Sequence, residues 1–115
     1  MITFKRGEVH EVKPDPSVGR EIQKTRPCVI VSSDVFNLHS GLAVVCPFTD
    51  GSGKTPDIIH IFAQKGTGGL NKDSIVLCDQ VKAVDQERLM QKLGNLDSET
   101  MRKIDDGLKT VLGLN

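Results

Sequence analysis

Two polar residues stand at the ends of apolar segments. Arg26 comes directly before the run Pro27–Val31, and Thr49 directly follows the run Leu42–Phe48. If these strands pair antiparallel, the start of one lies beside the end of the other, so the two side chains would meet at one rim. A guanidinium fork suits a phosphate, and a hydroxyl adds a donor and an acceptor. Residue types alone leave a second interpretation open, a solvated strand-end charge and a turn residue.

The segment Gly51–Thr55, GSGKT, has the ending of a nucleotide-binding P-loop without its beginning. That motif needs a glycine five positions before its second glycine, and the position five before Gly53 holds Phe48. No strand–helix–strand pattern surrounds the segment. We therefore interpret it as a flexible surface loop.

Metal and nucleophilic chemistry find little support in the residue spacing. No pair of histidines or cysteines has the C-x-x-C or H-x-x-x-H spacing typical of metal ligands, and no G-x-S-x-G elbow is present. We therefore predict neither a metal nor another cofactor. The candidate ligands set aside on this ground are His10, His39, His60, Cys28, Cys46 and Cys78.

Composition predicts one soluble domain over residues 1–115 with an aliphatic core. The chain has 37% hydrophobic residues, no tryptophan or tyrosine and four phenylalanines. Its formal net charge is 0, whereas nucleic-acid binders usually carry excess lysine and arginine. No apolar run is long enough to span a membrane, and the odd number of cysteines indicates reduced thiols. We expect a cytoplasmic protein without a membrane association.

Apolar patterning predicts five short strands followed by two helices. A long loop, Lys13–Thr25, separates the first two strands, and a loop of this length is usually functional or disordered. Within Leu42–Phe48, Pro47 cannot donate a ladder hydrogen bond, so we expect that strand to end, bulge or lie at an edge there. The last strand is long and bent. The predicted strands are Gly7–Val12, Pro27–Ser33, Leu42–Phe48, Asp57–Ala63 and Ser74–Val84.

The spacing of apolar residues changes from Asp85 onward. Asp85 is a suitable cap for a short helix that Gly94 would end, and Asp97 for a second helix. Strands so closely spaced leave no room for helical crossovers, so we predict an α+β fold with a mostly antiparallel sheet, forming a small barrel. The second helix carries one apolar stripe, formed by Met101, Ile104, Leu108, Val111 and Leu112.

Five segments of this chain, in order and with similar spacing, resemble the MazF/PemK toxin family. They are KRGEV, PDPSVGREIQKTRPCVIVS, DVFN, CPFTD and LNKDSIVLCDQVKAVDQERL. The resemblance covers nearly the whole chain. It implies an SH3-like barrel of about five strands with two C-terminal helices, working as a homodimer. It also implies metal-independent, sequence-selective cleavage of single-stranded RNA, and inhibition by a cognate antitoxin whose acidic tail covers the RNA groove.

The same resemblance implies site residues. Arg26 matches the family's catalytic arginine, Thr49 its catalytic threonine or serine, and Glu21 its loop glutamate. Gln80 matches a base-contacting glutamine, and Asn37 matches the asparagine after the second strand. The residues expected to bind RNA are Gln80, Asn37, Gly19, Arg20 and Lys24.

Two positions depart from the family pattern. His10 or its neighbour stands where relatives often have an aromatic residue, and Asp50 follows Thr49 where relatives often have serine or threonine. A carboxylate beside a scissile phosphate is unfavourable unless it points away. Two other functions stay open on the same fold: a gyrase-poisoning toxin, which normally uses a C-terminal tryptophan absent here, and a non-catalytic barrel that binds a partner strand.

Overall fold

In the part of the chain that the structure describes, seven strands form one antiparallel sheet, and two helices accompany it. The structure is a computed structural model that describes residues 2–14 and 25–115. Short 3₁₀ turns cover Thr67–Gly69, Cys78–Gln80 and Gln86–Arg88. The strands are β1 Glu8–Val12, β2 Arg26–Ile30, β3 Leu42–Asp50, β4 His60–Ala63, β5 Ser74–Leu77, β6 Lys82–Asp85 and β7 Leu89–Asn95; the helices are α1 Asp34–Ser40 and α2 Ser98–Leu112.

The strand order is β4-β5-β3-β2-β1-β7, and β6 also pairs with β3. This arrangement confirms the predicted α+β class and the antiparallel sheet. It does not confirm the SH3-like barrel, because β4 and β7, at the two ends of the order, do not pair within residues 2–14 and 25–115. The sheet described by the structure is therefore open.

The central strand β3 changes partners at Pro47. On the edge away from β2, β6 pairs with Leu42–Val45 and β5 pairs with Phe48–Asp50. The turn Cys78–Gln80 joins β5 to β6. Pro47 thus lies between the part of β3 that pairs with β6 and the part that pairs with β5. Its lack of an N–H therefore removes no hydrogen bond to either of these strands. The segment Ser74–Val84, predicted as one long, bent strand, is instead two strands joined by that turn, and β3 neither ends nor lies at an edge at its proline.

The prediction of a helix between Asp85 and Gly94 is wrong, because this segment forms a short turn and then a strand. Asp85 does cap a turn, accepting from the Glu87 N–H at 2.9 Å, but that turn is 3₁₀ and the chain continues as β7. β7 supplies the outer edge of β1 with a hydrogen-bonding partner, and a buried strand needs its backbone groups paired. Gly94 also approaches Gly68 so closely that a Cβ would lie 2.7 Å from its carbonyl carbon.

The second predicted helix is confirmed as α2. Among the described residues it is the only C-terminal helix, where two were expected. Asp97 caps it by accepting from the Thr100 N–H at 3.3 Å, and Ile104 on its apolar stripe is fully buried. The other helix, α1, lies in mid-chain between Ser33, whose side chain accepts from Phe36 N–H, and the left-handed Gly41. Its seven residues are too few to show a helical period in the sequence.

The core is aliphatic, as the composition predicts. Two clusters of buried side chains line the sheet, one around Val29 and Val76 and the other around Ile30 and Val45. All three cysteines are buried and unpaired, and burial raises the pKa of the Cys28 thiol to about 11. None of the helices in the described part of the chain is both long and apolar enough to cross a membrane.

The substitution Gly107→Ala tests the packing of α2 against the turn that carries Gln80. Alanine normally stabilises a helix interior by about 1 kcal/mol relative to glycine. Here the added Cβ would lie 2.8 Å from Cys78 Sγ and 2.9 Å from the Ile58 carbonyl oxygen. We therefore expect a loss of roughly 1–3 kcal/mol in the free energy of unfolding, measured by urea denaturation.

The matched control is Thr110→Ala on the exposed face of the same helix. It should leave the unfolding free energy within about 0.5 kcal/mol of the parent value. A Gly107→Ala protein as stable as the parent would contradict the close approach.

Candidate active site

A pocket of about 550 Å³ opens where β2, β3 and β5 and the turn after β5 meet the β3–β4 loop. Polar groups from separate strands and loops converge on it, above an apolar floor. Such convergence in a concave site is typical of a binding or catalytic centre. The lining residues are Arg26, Thr49, Lys54, Thr55, His60, Ile75, Leu77 and Gln80.

Strand register brings Arg26 and Thr49 to this pocket. In the β2–β3 ladder Cys28 lies opposite Pro47, and Arg26 and Thr49 each stand two residues further along in the same direction. Both side chains line the pocket, Arg26 exposed and Thr49 half-buried. The predicted meeting of these two side chains at one rim is confirmed.

His60, the first residue of β4, is held by two carboxylates. Its Nδ1 lies 3.0 Å from Asp57 Oδ2, and its Nε2 lies 3.3 Å from Asp79 Oδ1. The hydrogen bond to Asp57 and the negative charge of both aspartates raise the pKa of His60 above its ordinary value, against a smaller effect of burial. The ring also ties the β3–β4 loop to the turn that carries Gln80.

Asp50 does not point into the pocket. Side chains alternate along a strand, so Asp50 faces away from Thr49, and its carboxylate accepts from the Ser52 N–H at 2.9 Å. Lys72 Nζ lies 3.9 Å from the other carboxylate oxygen. The hydrogen bonds from Ser52 lower the pKa of Asp50. The unfavourable carboxylate beside a bound phosphate, the concern raised by the sequence, is therefore absent from this arrangement.

The other predicted site residues divide into three groups. Gln80 lines the pocket at the end of its 3₁₀ turn. Asn37 does not: it is only 3% exposed, and its side-chain amide donates to the carbonyls of Phe4 and Ser32, each at 3.3 Å. These bonds give Asn37 a structural role in the scaffold. The predicted residues outside the described part of the chain are Gly19, Arg20, Glu21 and Lys24.

Comparison with known proteins identifies the family. The family model described as "PemK-like, MazF-like toxin of type II toxin-antitoxin system" matches residues 5–112. The chain belongs to this toxin family. It is similar to the protein named Endoribonuclease MazF of Staphylococcus epidermidis, with 35% identity over 112 residues that cover 97% of this chain and 93% of the relative.

Solved structures of other proteins share the fold of this chain. MazF from Deinococcus radiodurans superposes with a TM-score of 0.80 at 21% identity, covering 99% of this chain and 100% of that one. A mycobacterial endoribonuclease in complex with its cognate antitoxin superposes with a TM-score of 0.76 at 24% identity, covering 100% and 98%. The open sheet with its two helices is thus the MazF fold.

Sequence reasoning missed Lys54, Thr55 and His60 as pocket residues. The GSGKT segment, which the sequence predicts to be a flexible surface loop, and His60, which its spacing sets aside as a metal ligand, both lie at the rim of this toxin's pocket. Only one local signal pointed there, the spacing of Asp57 and His60, which allows an aspartate to bond a histidine across one turn. His10, the other departure from the family, is buried and bonded to Glu8 at 2.8 Å, outside the pocket lining.

We expect NMR titration to give His60 a pKa above its ordinary 6.5. Asp57→Asn should lower that pKa further than Asp79→Asn does, because the Asp57 bond is the largest cause of the shift. A pKa raised by folding stabilises the folded state fully below about 6.5, and this contribution is lost as pH rises through the folded-state pKa. A His60 pKa at or below 6.5, or one unmoved by Asp57→Asn, would contradict the observed pairing.

Proposed function

We propose that this chain is the toxin of a type II toxin–antitoxin pair and acts as an endoribonuclease on single-stranded RNA. The observation that carries the proposal is the convergence of Arg26 and Thr49 on one pocket through the β2–β3 register. The similarity to a staphylococcal protein named Endoribonuclease MazF supports the same activity. RNA cutting by such a toxin would block translation and stop growth.

The proposed chemistry uses the nucleophile that RNA carries itself. The 2′-hydroxyl attacks the adjacent phosphate, the bond to the next 5′-oxygen breaks, and the products are a 2′,3′-cyclic phosphate and a free 5′-hydroxyl. Arg26 stabilises the charge on the phosphoryl oxygens, since a guanidinium stays protonated in proteins and is a poor base. Thr49 binds and orients the phosphate through its hydroxyl. No step in this scheme uses a divalent metal ion.

A general base for the 2′-hydroxyl completes the scheme. We propose Glu21 for this role, because a carboxylate held beside the hydroxyl can accept its proton. Among the described pocket residues, His60 is poorly suited, since both of its ring nitrogens are already bonded to aspartates. His60 instead joins the β3–β4 loop to the turn that carries Gln80.

Sequence selectivity would come from the edges of unstacked bases. Gln80 reaches the pocket with an amide that both donates and accepts, and Leu77 and Ile75 supply apolar contact for a base. We propose that Gly19, Arg20 and Lys24 extend this RNA-binding surface along the strand. With no tryptophan or tyrosine in the chain, hydrogen bonding carries most of the selectivity.

We further propose a cognate antitoxin and a second copy of this chain as protein partners, acting in the cytoplasm where mRNA is translated. The family consists of toxins of toxin–antitoxin systems. Arg26 and Lys54 give the pocket a basic rim. An acidic antitoxin segment lying across that rim would compete directly with the RNA phosphate.

Arg26→Ala tests the proposed function. We expect a loss of about 10²–10³ in cleavage rate, the usual effect of removing one preorganised donor. The assay uses single-stranded RNA with EDTA present and maps the 5′ ends of the products. Thermal unfolding should change little, because an exposed strand-end charge adds little stability.

Arg102→Ala is the matched control, since Arg102 is an exposed arginine of α2 outside the pocket lining. It should cut RNA at the parent rate. Full activity of Arg26→Ala would remove Arg26 from the chemistry. Loss of parent activity in EDTA that a divalent ion restores would contradict the metal-independent scheme.

A further inference from the structure

The loop after Thr49 folds back onto it. The Asp50 carboxylate accepts from the Ser52 N–H at 2.9 Å, and the Gly51 carbonyl accepts from the Lys54 N–H at 3.1 Å. Gly53 has a φ of +70°, a conformation in which glycine is favoured. This turn reverses the chain within five residues, so that Lys54 Nζ lies 3.3 Å from Thr49 Oγ1 in the same pocket as Arg26.

The chemistry of the two groups fixes the direction of this hydrogen bond. An ammonium group has three donors and no acceptor, so Lys54 must donate and Thr49 Oγ1 must accept. The hydroxyl hydrogen of Thr49 cannot then point at Lys54. It is free to point into the pocket, where it can be donated to a phosphate oxygen.

Within the described residues, Lys54 forms no ion pair with a carboxylate, although its charge lies near enough to Asp50 to help lower the pKa of that carboxyl. In residues 2–14 and 25–115, no salt bridge within 4.0 Å involves Lys54, whereas His60 on the same rim is bonded to two aspartates. An ammonium that lines a pocket beside a guanidinium, and that forms no salt bridge among the described residues, favours an anion as the third partner. The whole chain has a formal net charge of 0, so the positive charge in the pocket is a local feature and not part of a general excess of lysine and arginine.

We propose that Lys54 is a positioning residue for the RNA-cleaving reaction: it holds the Thr49 hydroxyl as a donor to the scissile phosphate and adds a second positive charge to that phosphate's site. This inference rests on the proposed function. It gives the GSGKT loop a role in the site, and it assigns Asp50 the task of building the turn that returns Lys54 to Thr49.

The first test compares single-turnover cleavage of single-stranded RNA by the full chain and by Lys54→Ala and Lys54→Arg. A hydrogen bond to a charged group is worth a factor of about 10–100, and we expect Lys54→Ala to lose that much in rate. Lys54→Arg keeps a charged donor and should recover most of the loss. Lys109→Ala, an exposed lysine outside the pocket lining, is the control and should match the parent.

The second test asks whether Lys54 acts through Thr49. In a Thr49→Val background, which removes the acceptor and keeps the shape, Lys54→Ala should cost at least about 10-fold less than it does in the parent. An equal cost in both backgrounds would overturn the positioning role. Thermal unfolding of each variant shows whether it is folded. Because the Asp50 side chain accepts a hydrogen bond that forms the turn, we expect Asp50→Ala to lose more activity than Asp50→Asn, which keeps an acceptor.

The third test measures the added charge. Binding of an oligonucleotide with a 2′-deoxy scissile nucleotide is followed over a range of salt concentrations. Lys54→Ala should reduce the slope of log affinity against log salt by about 0.7, the value for one single-strand phosphate contact. An unchanged slope would overturn the charge role. If the parent neither binds nor cuts RNA, the proposed function fails; if the parent cuts and Lys54→Ala cuts equally well, only this inference fails.

Discussion

The antiparallel register between β2 and β3 is the constraint on which the pocket depends. Val29 and Ile30 on one strand and Val45 and Cys46 on the other are fully buried. A slip of one residue would move each of these side chains to the opposite face of the sheet and out of its own cluster, so packing on both faces holds the register. Because the register is held, Arg26 and Thr49 reach the same rim, although neither contributes much to the core. Apolar packing thus positions polar groups that a loop alone would leave variable.

Strand β3 also determines where the other polar groups of the pocket lie. Since β3 exchanges β6 for β5 at Pro47, the chain between those two strands forms a 3₁₀ turn, and this turn presents Gln80 to the pocket. Beyond Thr49, the Asp50 turn returns Lys54. The protein therefore concentrates positive charge at one site while the whole chain stays neutral. The rest of the surface would attract RNA only weakly, and non-specific RNA binding would therefore be limited.

The sequence predicts the strands and the rim pair because both follow from local apolar patterning and from the geometry of antiparallel ladders. It mispredicts Leu89–Asn95, since the spacing of Leu89, Met90 and Leu93 fits either a helix or a strand, and the unpaired edge of β1 decided the outcome. Helix α1 is too short to show a period. Lys54 and His60 join the pocket through turns whose hydrogen bonds are not visible in residue spacing. The family resemblance, rather than spacing, supplied Gln80.

We propose that the scissile phosphate of the RNA binds between a guanidinium and a hydroxyl at this rim. The most direct measurement is a crystal structure of the full chain with a short oligonucleotide made uncleavable by a 2′-deoxy nucleotide at the scissile position. We expect oxygens of that scissile phosphate within about 3.2 Å of both Arg26 and Thr49 Oγ1. A bound strand whose scissile phosphate lies away from this pair, with the pocket occupied by a base or left empty, would rule out this binding mode.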